Sequence, residues 1–351
     1  MKRSRFSRAL PMAFPVALLV MMMVVTSSGV VQAASTIETV KNRGFVLCGV
    51  TDRVPGFSLH EADGSWSGFF VDFCRAAGAA VLGNADAVQI ESYWLDALEG
   101  REVDILHAGS TWTLVRDTTR MIDFPGIYFY DGQGFILHSN LGVKSLKDAM
   151  TTKDLKVCAI GPSSTARANL EEFIANTGVT WTLVPIQTMD GMWRAFFGGR
   201  CDMAIHDRSA LVAVHAGRLD DSDDYVVLPE VISKEPLAPA VRSDDVQWRD
   251  LIFWVTMATI AAEDLGVNQD NVDDMLAHST SPEVRRLLGA DPGIGVGFGL
   301  SDDWAYQVIK QLGNYGEIFA RNLGPKTQFK MSRGLNQLWR DGGLLYAPPV
   351  R

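Results

Sequence analysis

The spacing of apolar residues along the chain predicts alternating helices and strands. Thr36 or Ser35 can cap a short first helix, with Glu38 and Lys41 in its opening turns and Gly44 at its end. Residues 45–50 form a continuous apolar run of strand length. A turn-rich stretch follows, punctuated by Pro55-Gly56 and Asp63-Gly64. Residues 70–82 return to helical spacing, with Phe70, Phe73, Ala77 and Val81 on one face. Residues 88–91 then read as a strand, 94–98 as a helix and 103–106 as a strand.

The same order recurs. Residues 155–160 read as a strand, and the GPSST turn at 161–165 opens a helix with Ala166, Leu170, Phe173 and Ile174 on one face. A strand at 180–184, a helix at 189–197 and a strand at 203–205 complete the second unit. Two β-α-β-α-β units favour parallel sheets with helices on both faces. From about residue 243 the pattern is mostly helical. A long apolar segment, 247–267, should end its helix at Gly266, and 302–324 reads as a helix pair split near Gly313.

Composition changes the picture at the N-terminus. The chain has 351 residues, enough for two domains, and is 47% hydrophobic, enough for a sizeable core. Lys2, Arg3, Arg5 and Arg8 precede an uncharged apolar run at 9–25, and Val31-Gln-Ala33 offers small residues for cleavage. This is the layout of a secretory signal peptide, expected over 1–33 and cleaved from the exported chain. The run is shorter than the ~20 residues a spanning helix needs, and Pro11 and Pro15 interrupt it. Removing this segment, with its four basic residues and no acids, takes the formal charge from −9 to −13. So acidic a chain argues against nucleic acid or anionic lipid as partner.

Cys48, Cys74, Cys158 and Cys201 make an even count, which in an exported chain points to disulfides, with buried thiols as the alternative. None are at C-x-x-C spacing, and no His pair has metal-ligand spacing, so no metal is expected. Each unit holds two cysteines, which favours Cys48–Cys74 and Cys158–Cys201 among the three possible pairings.

Three features could carry chemistry. Arg116 follows Leu114 and Val115 just beyond a strand, with Thr111 and Thr113 before it. Its planar fork matches a carboxylate, and ligands of open α/β sheets bind beyond the carboxyl ends of strands. The alternative is a structural pair with Asp117 or Asp123. Asp207 follows the matching strand of the second unit and could receive an ammonium group or simply cap a helix. Ser163 and Ser164, opening a helix after a strand, make an anion site or an ordinary cap. Together these would fit a zwitterion. No catalytic set stands out: His107 and His206 each fall near the end of a third strand and could face a cleft, but neither has a visible nucleophile.

Several stretches carry a resemblance. They are GVKSL (142–146), STWTLVRDT (110–118), FYDGQGF (129–135), VLPEVISKEPLAPAVR (227–242), NYGEIFARNLG (314–324) and GLNQLWRDGGLLYAPPVR (334–351). The chain resembles the periplasmic general L-amino-acid-binding proteins of ABC transporters, solute-binding protein family 3. The resemblance implies an α/β, two-lobed type II periplasmic binding protein fold, each lobe a mostly parallel sheet flanked by helices. Lobe 1 would be 37–132 plus 238–351 and lobe 2 would be 133–237, with crossovers near 130–133 and 236–240. It implies a monomeric receptor without cofactor or catalysis, delivering an L-amino acid to an inner-membrane permease. Arg116 would hold the α-carboxylate with Thr111, the backbone at Gly109, Ser164 and Ser163, and Asp207 would take the α-ammonium. Tyr93, Trp94, Arg53 and His206 are candidates for the side-chain pocket. One departure bears on selectivity: where the family reads Arg-Asn-Thr-Thr-Trp, this chain has Ala108-Gly109-Ser110-Thr111-Trp112. The rival is an enzyme of the same fold, resembling cyclohexadienyl dehydratases, which would need a general acid or base facing its substrate.

Overall fold

Two mixed β-sheets organise the chain, each built on one β-α-β-α-β unit. The structure, a computed structural model, describes Ser35–Arg351 except Leu219. The expected signal segment lies outside the described residues. Among the described residues no helix is long and apolar enough to cross a membrane.

The first helix, α1 (Thr36–Arg43), is closed by its own sequence. Ser35 Oγ accepts from the Glu38 N–H, Glu38 accepts in return from the Ser35 N–H, and Gly44 takes the left-handed C-terminal position at φ 86°. The first unit then runs β1 (Val46–Val50), a small hairpin β2 (Leu59–His60) and β3 (Trp66–Ser67), α2 (Phe69–Leu82), β4 (Val88–Ser92), α3 (Leu95–Glu99) and β5 (Ile105–Thr111). Strand β1 pairs in parallel with both β4 and β5. Next come α4 (Leu114–Thr119), β6 (Ile122–Asp123) and β7 (Phe129–Asp131), and Gly132 alone separates β7 from β8 (Gln133–His138).

The second unit comprises α5 (Leu146–Thr151), β9 (Lys156–Ile160), α6 (Thr165–Thr177), β10 (Thr182–Ile186), α7 (Met189–Phe197), β11 (Met203–Asp207), α8 (Arg208–Ala216) and β12 (Tyr225–Val227). Its sheet has the order β10-β9-β11-β8-β12. Strand β13 (Glu235–Arg242) returns the chain to the first sheet, whose order is β4-β1-β5-β13-β6 with β7 also on β13. The rest is helical: α9 (Val246–Asp264), α10 (Val272–His278), α11 (Pro282–Leu287), α12 (Trp304–Leu312) and α13 (Tyr315–Asn322).

Each sheet is parallel within its unit and antiparallel where a returning strand joins: β13 against β5, and β8 against β11. That return also lengthens β5. The local pattern predicts a strand only over 103–106, because Ala108-Gly109-Ser110 lacks strand-forming side chains. Pairing with β13, which sets Leu237 opposite Thr111 and Ala238 opposite Ser110, extends it to Thr111. The two crossing segments touch at Gly132. A Cβ there would lie 2.7 Å from the Ser233 carbonyl and 2.8 Å from the Val231 side chain, so only hydrogen fits.

Two cores matter for the site. One packs α2, α9 and α12 on the first sheet through Trp248, Val255, Val308 and Ile309. The other is an aromatic knot of Phe57, Phe69, Phe73, Tyr128, Phe129 and Tyr315, pinned where Tyr315 Oη donates to the Tyr128 carbonyl at 2.8 Å. Large rings buried together make a stiff wall behind the strand ends. Cys48 of β1 is bonded to Cys74 of α2, with Cα atoms 5.9 Å apart, and Cys158 of β9 to Cys201, with Cα atoms 5.7 Å apart. Each bond stays within one unit.

Candidate functional site

The parallel strands of both sheets direct their carboxyl ends at one cavity of about 690 Å³. From the first sheet come Thr51 after β1, Ser92, Tyr93 and Trp94 around the end of β4, and Ala108, Gly109 and Thr111 in β5. From the second come Ser163 and Ser164 after β9, Gln187 and Thr188 after β10, and His206 and Asp207 in β11. Gly109 sits at φ 62° with the Phe70 ring 3.1 Å from where a Cβ would stand. A side chain there would be strained and would meet the aromatic wall.

Arg116 enters this cavity from α4, a short helix none of whose residues is buried. Thr113 caps the helix by accepting from the Arg116 N–H at 3.2 Å. The guanidinium donates from Nη1 to the Thr111 carbonyl at 2.9 Å and from Nη2 to the Ser163 carbonyl at 3.4 Å. It lies 5.9 Å from the centre of the Trp94 ring. Neither aspartate offered as a structural partner takes it, and Asp123 instead faces Arg249 at 3.5 Å. Arg116 therefore has no carboxylate partner among the described residues. Burial pulls its pKa down, while Glu235 and Asp207 act to raise it. A guanidinium keeps its charge regardless.

Across from it, Ser164 stands at the start of α6 without making a side-chain cap. The first N–H groups of a helix have no partner inside it, so α6 points unspent donors at the cavity. Thr111 Oγ1 lies 3.5 Å from Thr165 Oγ1 and donates to Glu235 Oε2 at 2.5 Å. Glu235 is 2% exposed and also accepts from Asn169 Nδ2 at 2.7 Å and Ser233 Oγ at 2.8 Å.

Asp207 occupies the cap position of α8 yet makes no capping bond. Its Oδ1 accepts from Gln133 Nε2 at 2.6 Å. Gln133 Oε1 is buried without a partner. Burial pushes the Asp207 carboxyl well above its ordinary pKa, Asp131 and Glu235 push further, and Gln133 and Arg116 oppose them. Asp131, held by the Ser209 N–H and hydroxyl, is itself pushed up to about 6 by burial. His206 Nδ1 accepts from the Asp207 N–H at 2.8 Å, which leaves the ring proton on Nε2. Burial lowers His206 to about 4, so it is neutral at pH 7. Among the described residues no group of three or more His, Cys, Asp or Glu could hold a metal.

The arrangement is a cleft with one unpaired guanidinium, one helix start and one amide-supported carboxylate. No protein-family model matches the chain. The general L-amino acid-binding periplasmic protein AapJ of Rhizobium johnstonii is 41% identical over 325 residues, covering 91% of this chain and 94% of that one. The glutamate/glutamine/aspartate/asparagine-binding protein BztA of Rhodobacter capsulatus is 40% identical over 323 residues, covering 91% and 94%. A solved ABC-transporter periplasmic binding protein from Brucella ovis, with glutathione bound, matches with a TM-score of 0.86 at 39% identity, over 91% of this chain and 100% of that one. The chain belongs to the periplasmic amino-acid-binding proteins of ABC transporters. A cysteine-binding protein from Campylobacter jejuni, at 21% identity and a TM-score of 0.56, shares the fold.

In this binding protein all eight ligand candidates of the sequence, Arg116, Asp207, Thr111, Gly109, Ser164, Ser163, Trp94 and Tyr93, line one cavity. Two weaker candidates do not. Arg53 donates from Nη1 to Asp190 Oδ2 at 3.0 Å and is not among the lining residues. His107 lies inside β5 rather than at its end, 1% exposed, with its ring 5.5 Å from Tyr128 and 6.0 Å from Phe73. It does not reach the cleft, because the extra strand length places it on the aromatic wall. Gln133, Glu235 and Asn169 escaped sequence reading. The available signal for the first two was a long polar side chain inside an otherwise buried strand, which demands a partner.

Proposed function

We propose that the cavity captures an L-α-amino acid between the two lobes and that the chain, exported and freed of residues 1–33, presents it to an inner-membrane ABC permease. The observation that carries this reading is the pair of ionisable groups without an ionic partner in one cavity. Arg116 has no carboxylate partner among the described residues, and Asp207 has an amide but no cation bonded to it. A zwitterion supplies both missing partners. Its α-carboxylate meets the Arg116 fork and the start of α6, and its α-ammonium meets Asp207 with the vacant Gln133 Oε1 beside it. The amino-acid ligands named for AapJ and BztA support the same class.

The lobes in this reading are 37–132 plus 238–351 and 133–237, joined at the crossing near Gly132. Closure removes water from the cleft, which strengthens both charged contacts. A ligand touching both lobes shifts the population toward the closed form, the form a permease would recognise. The reading is one of binding without turnover, by a monomer and without cofactor. Titration calorimetry of the mature chain, stripped of carried-over ligand, against the L-amino acids tests it. Several should bind, and Arg116→Ala should lose that binding while its melting temperature stays within a few degrees. Silence across the panel, or full affinity in the alanine variant, would refute it.

A further inference from the structure

The charges around the cavity are unevenly supplied, and this bears on which side chains the site accepts. Arg116 is the only Lys or Arg among the lining residues. Under the amino-acid reading above, on which this inference rests, it is committed to the α-carboxylate. The neighbouring cations are engaged elsewhere: Arg53 with Asp190, Arg120 with Asp96 and Glu99, and Arg208 Nε with the Leu228 carbonyl. Behind Asp207 stand two further acids, Asp131 bonded to Ser209 with Arg208 near it, and Glu235 bonded to Thr111.

The rest of the lining offers neutral hydrogen-bonding groups. His206 presents an Nε2–H that no described residue accepts, because its Nδ1 is occupied by the Asp207 N–H at 2.8 Å. Gln187, Thr188 and Ser92 add an amide and two hydroxyls that can donate or accept. We propose that this site selects uncharged side chains and discriminates amides from carboxylates of the same shape, glutamine over glutamate and asparagine over aspartate. A ligand amide both donates and accepts, so neutral partners satisfy it. A ligand carboxylate only accepts, and it carries a full charge into a closed cleft whose one lining Lys or Arg is already committed to the α-carboxylate. An unpaired buried charge is far more costly than an unpaired neutral group, and like charges brought together disfavour a wrong partner further.

The test is calorimetric titration of the stripped mature chain at pH 7.5 with L-glutamine, L-glutamate, L-asparagine, L-aspartate and L-alanine. Each amide should bind at least about tenfold tighter than its acid. Acids binding as tightly as amides, or alanine binding with neither amide bound, would overturn the inference while leaving the amino-acid reading intact. Silence for all five would overturn both. A second variant probes the cause. Ala108 lines the cavity beside Gly109, so Ala108→Arg places a cation there and should bring glutamate to within threefold of glutamine or past it. An unchanged ratio in a variant with the parent's melting curve would remove the missing counter-ion as the explanation.

Discussion

Replacing Asp207 by Asn separates the two roles that an aspartate at a helix start can play. Asn keeps the side-chain size and the oxygen that accepts from Gln133 Nε2 at 2.6 Å. It removes the only carboxylate among the cavity's lining residues. A hydrogen bond to a charged group contributes about 1.5–3 kcal/mol, and stripping one partner from a desolvated charge pair costs about 2–5 kcal/mol. At about 1.4 kcal/mol per factor of ten, affinity for an amino acid should fall roughly 30-fold to a few thousand-fold. The empty protein should respond in the opposite sense. Burial, Asp131 and Glu235 all disfavour a charge on Asp207, so its removal relieves the cluster. The thermal midpoint without ligand should hold or rise, whereas loss of a real helix cap would cost about 1 kcal/mol. Calorimetric titration gives the affinity and a ligand-free melt gives the midpoint. Binding within threefold of the parent together with a lowered midpoint would refute the reasoning and make Asp207 a cap after all.

Two further outcomes follow from the fold. Cys74→Ser opens a bond spanning 26 residues and Cys201→Ser one spanning 43, and the chain-entropy relation puts their losses at about 3.5 and about 4 kcal/mol. Denaturant midpoints should drop for each variant and for the reduced parent, and an unmoved midpoint would show that the bonds do not constrain the unfolded chain. Asp131 is raised to about 6 when folded, from 3.8, so the folded state holds the extra proton between those values. Its contribution is complete below about pH 4 and is lost as pH rises through about 6. Asp131→Asn should flatten the fall in unfolding free energy between pH 5 and 7.5, and a variant with the parent's slope would assign the titration elsewhere.

What was legible in the sequence follows the range of the interactions. The first helix could be read because its capping box and terminal glycine are local, and the pair α12 and α13 because Gly313 breaks it at φ 81°. Arg116 could be singled out because an arginine just past a strand is a short-range feature. The identity of its partners could not, since those were excluded only when Asp123 turned to Arg249, 126 residues away. The residues that support the site lie at similar distances: Gln133 bonds Asp207 across 74 positions and Thr111 bonds Glu235 across 124. A pattern read within one or two turns of chain does not register such pairs. His107 was misplaced for the same reason, because β13 decides how far β5 extends.

Glu235 links the two elements that the proposed reading places on a ligand carboxylate. Asn169, which bonds its Oε1, belongs to α6, the helix whose start carries Ser164. Thr111, which bonds its Oε2, ends β5, and its carbonyl accepts from Arg116. One buried carboxylate thus ties the helix that presents N–H groups to the strand that steadies the guanidinium. The same bond restricts what Thr111 can do. Its hydroxyl proton is directed at Glu235, so toward a ligand oxygen it offers only lone pairs, and two acceptors repel. The hydroxyl that the family resemblance places on the ligand acts in the empty protein as a spacer between Glu235 and Thr165. Under the proposed amino-acid reading, the grip on an α-carboxylate then reduces to Arg116 and the start of α6, both tied to Glu235 through Thr111 and Asn169.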